Sequence, residues 1–506
     1  MRLMTARNRT RAVEQALGNL VLILCVAFGA RLAFAIDQSF RIPSAVLSTA
    51  SFDQETGSIA AALATHKGFS DPFNKETGPT AWLTPVYPSL VALAFRIFGV
   101  RSLAAFYLLV FLNILFSTAV CVPIYLVGQR VSGHATAGAA AWLWALYPSA
   151  IMVPFEWIWD TSLATFLAAL LLWATLELAE STRWRDWCAY GLLCGFTLMT
   201  SPSLGTLLPF LLGWSAYRAY RQFPASAIQT LLRPALALGL AILCCVPWTV
   251  RNYSVFHRLI PLRSNFPFEL YIGNNENYAD DHPRFPPAIT KERETVRYFH
   301  MGEVSFMDEE MRKARLFISS HPRKVLILFA DRFLAFWTGA PFALRNFLVT
   351  DSWLVRTLLL SATLSGIGAL AGTVVLFWRG NPFAVPLAAY PLLFPLVYYI
   401  THTSLRYRHP IEPVVLLLTA IAASLPGELV LRRFLRATGP APINSALSSR
   451  PVSVRKPGPS SILRSTAASA TSRRTIPDYC YIPSRVAPAP STAPRYPSAG
   501  PPTKAR

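Results

Sequence analysis

The chain has 506 residues, of which 53% are hydrophobic and only 14% are charged. These proportions exclude an ordinary soluble domain and indicate a polytopic, all-α membrane protein. The net charge of +21 lies largely in the flanks of apolar runs and in the tail. Positive charge there sets membrane topology and favours contact with anionic membrane lipids, so no nucleic-acid partner is expected.

The seven cysteines show no C-x-x-C spacing, so neither a zinc site nor a disulfide framework is predicted. At the N-terminus, residues 1–17 are basic and an apolar run follows to Ile36, which predicts a cytoplasmic N-terminus and a first span. Ala33-Phe34-Ala35 would also fit a signal-peptide cleavage site. An uncleaved anchor is favoured, because many spans follow and Arg31 lies inside the run.

A long polar stretch, residues 37–101, interrupts the apolar pattern. From Asp53 onward it shows an amphipathic helical period, which is typical of a helix lying in the membrane interface. Gly and Pro residues then break the pattern. Asp53 is therefore either a carboxylate placed for chemistry at a membrane surface or the cap of this helix, and both interpretations remain open.

Further apolar runs are long enough to cross a bilayer. Basic connectors placed in the cytoplasm predict about ten spans within a membrane domain of residues 18–430, with both termini inside and outer loops at 37–101 and 251–353. This topology requires that 82–98 and 324–340 do not cross and that 187–217 forms two short helices. The runs are 103–128, 135–153, 161–179, 234–250, 354–378, 383–400 and 412–430.

The pattern changes in the C-terminal segment, residues 437–506. Pro, Ser, Ala, Thr and Arg dominate without periodicity, and ten Lys or Arg residues face the single acid Asp478. This composition predicts a disordered cationic tail.

In this topology one membrane face, the outer one, collects several carboxylates and cations. Asp53 and Asp160 are candidate acids, bases or metal ligands, and paired arginines can hold a phosphate. The alternative for the arginines at 406 and 408 is a snorkelling pair that contacts lipid headgroups. No Walker, G-x-S-x-G, H-E-x-x-H or Rossmann motif occurs, which argues against an ATP-driven pump and a soluble-type hydrolase. The candidate substrate-binding residues are Glu156, Arg251, Asn252, Arg406, Tyr407 and Arg408.

Several segments in this order resemble the GT-C superfamily of integral-membrane glycosyltransferases, near glycosyltransferase family 39. They are GFSDPF at 68–73, GPTAWLTPVYP at 78–88, YPSAIMVPFEWIWDTSL at 147–163, VPWTVRNY at 246–253 and RYRHPIEP at 406–413. The resemblance implies a GT-C-type helical bundle that takes a sugar from a polyprenyl-phosphate carrier. It places the family's first-loop aspartate on Asp53 and its second-loop acid on Asp160, with Glu156 as runner-up.

The predicted function is therefore sugar transfer to a lipid, glycan or protein acceptor at the outer face of the cytoplasmic (inner) membrane. The expected reaction inverts the anomeric centre and uses Asp53 as the base. A divalent metal is compatible with such a site, although its ligands are unknown, and no other cofactor is expected. The alternatives are a transporter or flippase, and a polymerase or ligase, of lipid-linked glycans.

Overall fold

The computed structural model describes residues 6–73, 75–222, 227–276, 292–339 and 352–437. The predicted cationic tail lies outside these residues, apart from Ala437. Within the described ranges the regular structure is helical, and the single β-bridge joins Ser70 to Pro79. The prediction of an all-α polytopic membrane protein is confirmed.

Eleven α-helices lie in the described part of the first half of the chain. They are α1 (Ala6–Arg41), α2 (Ser44–Thr49), α3 (Glu55–Ala64), α4 (Val86–Phe98), α5 (Leu103–Ala119), α6 (Cys121–Ser132), α7 (His134–Leu146), α8 (Pro148–Glu156), α9 (Thr161–Leu178), α10 (Trp184–Thr200) and α11 (Leu208–Gln222).

Ten helices follow in the described part of the second half. They are α12 (Ala227–Phe256), α13 (Phe266–Gly273), α14 (Glu292–Met301), α15 (Glu303–Ser320), α16 (Pro322–Thr338), α17 (Trp353–Trp378), α18 (Ala384–Leu393), α19 (Leu396–Ile400), α20 (Leu405–Arg408) and α21 (Glu412–Ala437).

Six helical segments of the described chain are long and apolar enough to cross a membrane. A seventh would be the pair α7 and α8, which is bent by 44°. The predicted total of about ten spans therefore stays a prediction. The six segments are 18–41, 103–132, 161–178, 231–256, 353–378 and 406–425.

Three of the apolar runs form helices that are short or interrupted. The helix α4 has only 13 residues, about 20 Å at 1.5 Å per residue, which is shorter than a bilayer core. As expected, 187–217 contains two helices, because a short 3₁₀ segment, Pro202–Thr206, separates α10 from α11. The run at 383–400, predicted as one span, forms a short apolar helical segment, Ala384–Ile400, with a break between α18 and α19. Prolines at 391 and 395 occupy this region, and its crossing stays a prediction.

The first span contains a buried arginine, Arg31, with 1% of its surface exposed. Its guanidinium donates hydrogen bonds to Ser117 Oγ at 2.8 Å and to the carbonyl oxygens of Ala145 at 3.0 Å and Trp144 at 3.2 Å. A charged group inside a membrane segment is tolerated when its donors are satisfied in this way. Arg31 therefore joins α1 to α5 and α7.

The helix α3, predicted to lie in the membrane interface, packs closely against protein. It begins at Glu55, and the Gln54 side chain at its N-cap position makes no capping hydrogen bond. Six of its ten residues, from both sides of the amphipathic pattern, are buried against protein. At Gly57 a Cβ atom would lie 2.2 Å from the Phe52 carbonyl oxygen, so the absence of a side chain allows this close packing. Asp53 lies one residue before the N-cap position, and its role as a cap or as a catalytic carboxylate stays a prediction.

Candidate functional site

A cavity of about 590 Å³ lies where several helix ends meet. Residues from remote parts of the sequence line it: the start of α3, the loop before α4, the turn before α9, the end of α10, and α13. The last wall is the segment from 397 to 410. Those that carry charge or can titrate are Asp53, Glu55, Lys75, Tyr87, Asp160, Arg263, Glu269, Tyr398, His402, Arg406 and Tyr407.

Asp160, one of the two predicted acids, lines this cavity at the turn that precedes α9. Burial raises the pKa of the Asp160 carboxyl above its ordinary range. The positive charges of Arg406 and Arg263 and a hydrogen bond with Ser201 act in the opposite direction. The site therefore contains a carboxylate whose protonation state is set by a balance of burial and nearby cations.

Asp53, the other predicted acid, lies at the rim of the same cavity. Its side chain is 54% exposed, and Oδ1 lies 3.7 Å from Arg101 Nη1. The structure thus brings Asp53 and Asp160 to one cavity, in different environments. Glu156, the runner-up, ends α8 and is exposed outside the cavity lining.

A third carboxyl group, Glu55, lies at the start of α3. Its Oε2 atom is buried and has no hydrogen-bond partner in the described structure. Burial raises the pKa of Glu55; the negative charge of Glu269 adds to this effect and Arg406 opposes it. Glu55 is therefore, like Asp160, a cavity carboxyl whose protonated form is favoured by burial.

Arg406 presents a guanidinium to the cavity from an aromatic setting. Its Cζ atom lies 4.6 Å from the ring centroid of Trp157, 4.4 Å from that of Trp159 and 5.1 Å from that of Tyr407. Arg263 lines the same cavity. Neither arginine forms an ion pair within the described part of the chain, so both have N–H groups available for an anionic ligand.

The other predicted cation, Arg408, is used differently. It is 0% exposed and lies in a buried ion pair with Glu412, Nε to Oε1 at 2.8 Å. It also donates to the carbonyl oxygens of Trp337 and Ala362 and to Ser365 Oγ. Arg408 therefore stabilises the packing of α17 and α21 and is not part of the cavity lining.

Arg251 and Asn252 also lie outside the cavity lining. Arg251 donates to the carbonyl oxygens of Thr80 and Phe69, each at 2.7 Å. Asn252 is buried and donates to the carbonyl oxygen of Ile260 at 2.9 Å. Both residues thus hold the loops next to the end of α12 in the described structure.

Cavity residues that sequence reasoning missed include Arg263, Glu269 and His402. Arg263 and His402 lie in loops and Glu269 lies in the short helix α13, and no motif marks any of them. The only available signal was for His402, which lies in the polar turn 401–413 already singled out for its arginines.

Among the described residues, no three His, Cys, Asp or Glu side chains lie close enough together to hold a metal ion. The described carboxyl groups of the cavity therefore do not form a metal-binding set in this arrangement.

The fold and the site define a polytopic helical membrane protein with a charged cavity at its helix ends. No protein-family model matches the chain, and no curated protein matches it. Among solved structures, the chain is similar to the oligosaccharyltransferase of Archaeoglobus fulgidus in the apo form. The TM-score is 0.47 and the identity is 16%, over 83% of this chain and 52% of that one.

It is also similar to ArnT from Cupriavidus metallidurans bound to undecaprenyl phosphate. Here the TM-score is 0.31 and the identity 14%, over 78% of each chain. The chain spans about half the length of the oligosaccharyltransferase structures that it matches. At TM-scores this low, the similarity does not assign a function to the chain, and the residues of the cavity are the basis for one.

Proposed function

We propose that the chain is a membrane glycosyltransferase that moves a sugar from a polyprenyl-phosphate carrier to an acceptor. One observation carries the proposal: a single cavity beside membrane-length helices contains two arginines without ion-pair partners in the described structure and several carboxyl groups. A leaving phosphate needs positive charge, and an acceptor hydroxyl needs a proton acceptor. The cavity supplies both kinds of group.

Arg406 and Arg263 are the proposed phosphate ligands. When the bond between the anomeric carbon and the phosphate oxygen breaks, negative charge grows on the phosphate, and guanidinium groups stabilise it through charge-assisted hydrogen bonds. Both arginines also act on Asp160, where their positive charges favour the ionised carboxylate.

Asp53 is the proposed base, with Asp160 as the alternative. Asp53 lies at the exposed rim, where an acceptor hydroxyl can enter from solvent or from the membrane surface. A single displacement by that hydroxyl would invert the anomeric centre. The proposal places the cavity at the outer face of the cytoplasmic membrane, in agreement with the distribution of basic connectors.

The test is binding of undecaprenyl phosphate to the full chain in lipid nanodiscs. Arg406→Ala and Arg263→Ala should each weaken binding by about 10- to 100-fold, since a hydrogen bond to a charged group contributes about 1.5–3 kcal/mol. Arg315→Ala, an exposed arginine on α15 outside the cavity, is the matched control. Unchanged binding by the double variant would refute the phosphate site.

The acceptor is found by mass spectrometry of lipids and glycoproteins from cells with and without the gene. A sugar-modified product that disappears with the gene, and also in Arg406→Ala cells, supports transferase activity. A change in lipid-linked glycan distribution across the membrane, without any change in glycosylation, would favour the transporter alternative.

A further inference from the structure

Three residues of the cavity form a connected array that ends beside Arg406. His402 Nδ1 lies 3.2 Å from Glu269 Oε2, and His402 Nε2 lies 3.0 Å from the Tyr407 hydroxyl oxygen. Arg406 Nη2 approaches the same hydroxyl oxygen at 3.5 Å. Asn265 donates to Glu269 Oε1 at 2.9 Å. The array thus runs from a carboxylate, through an imidazole and a phenol, to the proposed phosphate ligand.

The atoms that carry the protons in this array follow from the groups at its two ends. The contact of Nδ1 with Glu269 Oε2 lacks hydrogen-bond geometry, but a carboxylate oxygen at 3.2 Å repels a lone pair on Nδ1. This repulsion favours the tautomer with the imidazole proton on Nδ1. Burial lowers the pKa of His402, Glu269 opposes this shift, and the charges of Arg406 and Arg332 add to it. The ring is therefore neutral at neutral pH, and Nε2 is an acceptor.

The consequence concerns Tyr407. Its single hydroxyl proton points to His402 Nε2, so its oxygen presents lone pairs to Arg406 and to the cavity. The phenol ring stacks on Tyr398, with centroids 4.9 Å apart and an interplanar angle of 14°. The direction of the Tyr407 oxygen is thus fixed by a hydrogen bond at one end and by ring stacking along its face.

Backbone contacts hold the two segments that carry the array. Arg332, 2% exposed on α16, donates to the carbonyl oxygens of Tyr399 and Ile400 at 3.0 and 2.8 Å and to that of Gly273. Asn274 also donates to Ile400 at 2.9 Å. These bonds join the end of α13, which carries Glu269, to the segment that carries His402.

We propose that Tyr407 is a specificity-determining residue: its oxygen, kept as an acceptor by His402 and Glu269, selects a ligand with a hydroxyl or ammonium group beside the phosphate. In a sugar phosphate such a group lies on the carbon next to the anomeric carbon. This inference rests on the proposed function, because it places the phosphate on Arg406. A ligand without the donor makes one hydrogen bond fewer to the Tyr407 oxygen and therefore binds less tightly.

The test uses two prenyl phosphodiesters that differ by one hydroxyl: citronellyl 2-hydroxyethyl phosphate and citronellyl ethyl phosphate. Both carry one negative charge, and the hydroxyethyl group reproduces the spacing from the anomeric oxygen to a hydroxyl on the next carbon. The full chain in nanodiscs should bind the hydroxyl compound about 2- to 10-fold more tightly, the net effect of one hydrogen bond.

Tyr407→Phe keeps the ring and its stacking and removes the oxygen, so this preference should disappear while binding of the ethyl compound is retained. Tyr271→Phe, on α13 and outside the cavity lining, is the matched control and should keep the preference. Equal binding of both compounds by the unaltered chain, or an undiminished preference in Tyr407→Phe, would overturn the inference.

A second measurement is independent of ligand. Nitrogen NMR of ¹⁵N-histidine-labelled protein, with His402 assigned by substitution, should show the Nδ1-protonated tautomer and a change at Nε2 in Tyr407→Phe. An Nε2-protonated ring would make the Tyr407 oxygen accept from His402 and would refute the proposal. If neither phosphodiester binds and Arg406→Ala does not change the binding of undecaprenyl phosphate, the proposed phosphate site fails. The tautomer of His402 still decides the orientation of the Tyr407 hydroxyl in that case.

Discussion

Two arginines that are neighbours in sequence have different environments. Arg406 contacts aromatic rings and faces the cavity, whereas Arg408 lies in a buried pair with Glu412. The sequence did contain a signal for this difference, because Arg408 and Glu412 have the i, i+4 spacing of a helical ion pair. The prediction treated both arginines as ligand candidates, since positive charge on the outer face looked unusual for either one.

The proposed base is tested by Asp53→Asn and Asp160→Asn. Each substitution keeps the shape of the side chain and removes the proton acceptor. Because general-base assistance is worth about 10²- to 10⁴-fold in rate, Asp53→Asn should lose sugar transfer by roughly that factor and still insert and fold. Transfer would be measured with donor lipids extracted from the native membrane.

A lost helix cap would lower the free energy of unfolding by about 1 kcal/mol. A loss of transfer without a loss of stability in Asp53→Asn is therefore assigned to the missing proton acceptor. Near-normal transfer in Asp53→Asn, combined with an inactive Asp160→Asn, would assign the base to Asp160.

The buried carboxyl of Glu55 predicts a pH effect on stability. Its raised pKa in the folded state means that its contribution is fully present below the ordinary Glu pKa, about 4.3. The contribution is lost as pH rises through the folded value. Relative to Glu55→Gln, the unaltered protein should therefore lose free energy of unfolding as pH increases. Unfolding in detergent between acidic and neutral pH measures this difference.

Glu76 is a control of opposite sign. It is exposed and pairs with Lys67, which lowers the pKa of Glu76. Its contribution is therefore present above the ordinary Glu pKa and is lost as pH falls through the folded value. The quantity measured is the difference in free energy of unfolding between the unaltered protein and Glu55→Gln. If this difference does not change with pH, or changes in the same direction as for Glu76→Gln, the carboxyl of Glu55 is not buried as described.

At the scale of elements, hydrophobic length and proline positions predicted the helices well. The pair at 187–217 was expected because Ser201-Pro202 interrupts an apolar run, and a proline within a helix removes a hydrogen bond. The bend between α7 and α8 was missed within the run 135–153, although Pro148 marks it. The amphipathic period of α3 was recognised in the sequence. The burial of α3 on several sides depends on contacts with remote segments, and a local sequence pattern carries no information about such contacts.

The contact of α13 with the segment after α19 is tested by Gly273→Ala. A Cβ atom at this position would lie 1.6 Å from the Thr401 carbonyl oxygen, so the two segments must separate. We expect a loss of about 1–3 kcal/mol in the free energy of unfolding, as for other overpacked sites. Binding of undecaprenyl phosphate should also weaken, because His402 and Arg406 lie in the segment that begins at Thr401 and would be displaced with it.

Gly213→Ala is the matched control. Gly213 lies in α11, where a Cβ atom would meet nothing within 4 Å, and alanine should stabilise this helix by about 0.5–1 kcal/mol. A Gly273→Ala variant that unfolds like Gly213→Ala would show that the segments are not in close contact.

At the scale of the whole molecule, the sequence predicted the class of protein. It also predicted that Asp53, Asp160 and Arg406 lie at one site. It did so through charge and topology, which place remote residues on one membrane face. It could not predict which residues of that face share a cavity. Arg263 and His402 belong to loops and Glu269 to the short helix α13. The positions of Glu269 and His402 follow from tertiary contacts such as those of Arg332 with Gly273 and Ile400.

The membrane topology itself is the last prediction. If the basic connectors lie in the cytoplasm, the loops 37–101 and 251–353 are external and the loop 181–187 is internal. Cysteines at Glu76 and Ser305 should then react with an impermeant thiol reagent in intact cells. A cysteine at Arg185 should react only after permeabilisation. All three positions are exposed in the structure, so burial does not account for a failure to react.

Each variant is compared with the parent chain, because native cysteines, among them the exposed Cys25, set the background. Labelling of Arg185→Cys in intact cells, with protection of Glu76→Cys and Ser305→Cys, would invert the topology. The cavity would then face the cytoplasm, since Asp53 and Arg263 belong to the same two loops. A donor on the outer face could not reach Arg406 in that orientation, and the proposed transfer would have to use a carrier from the cytoplasmic side.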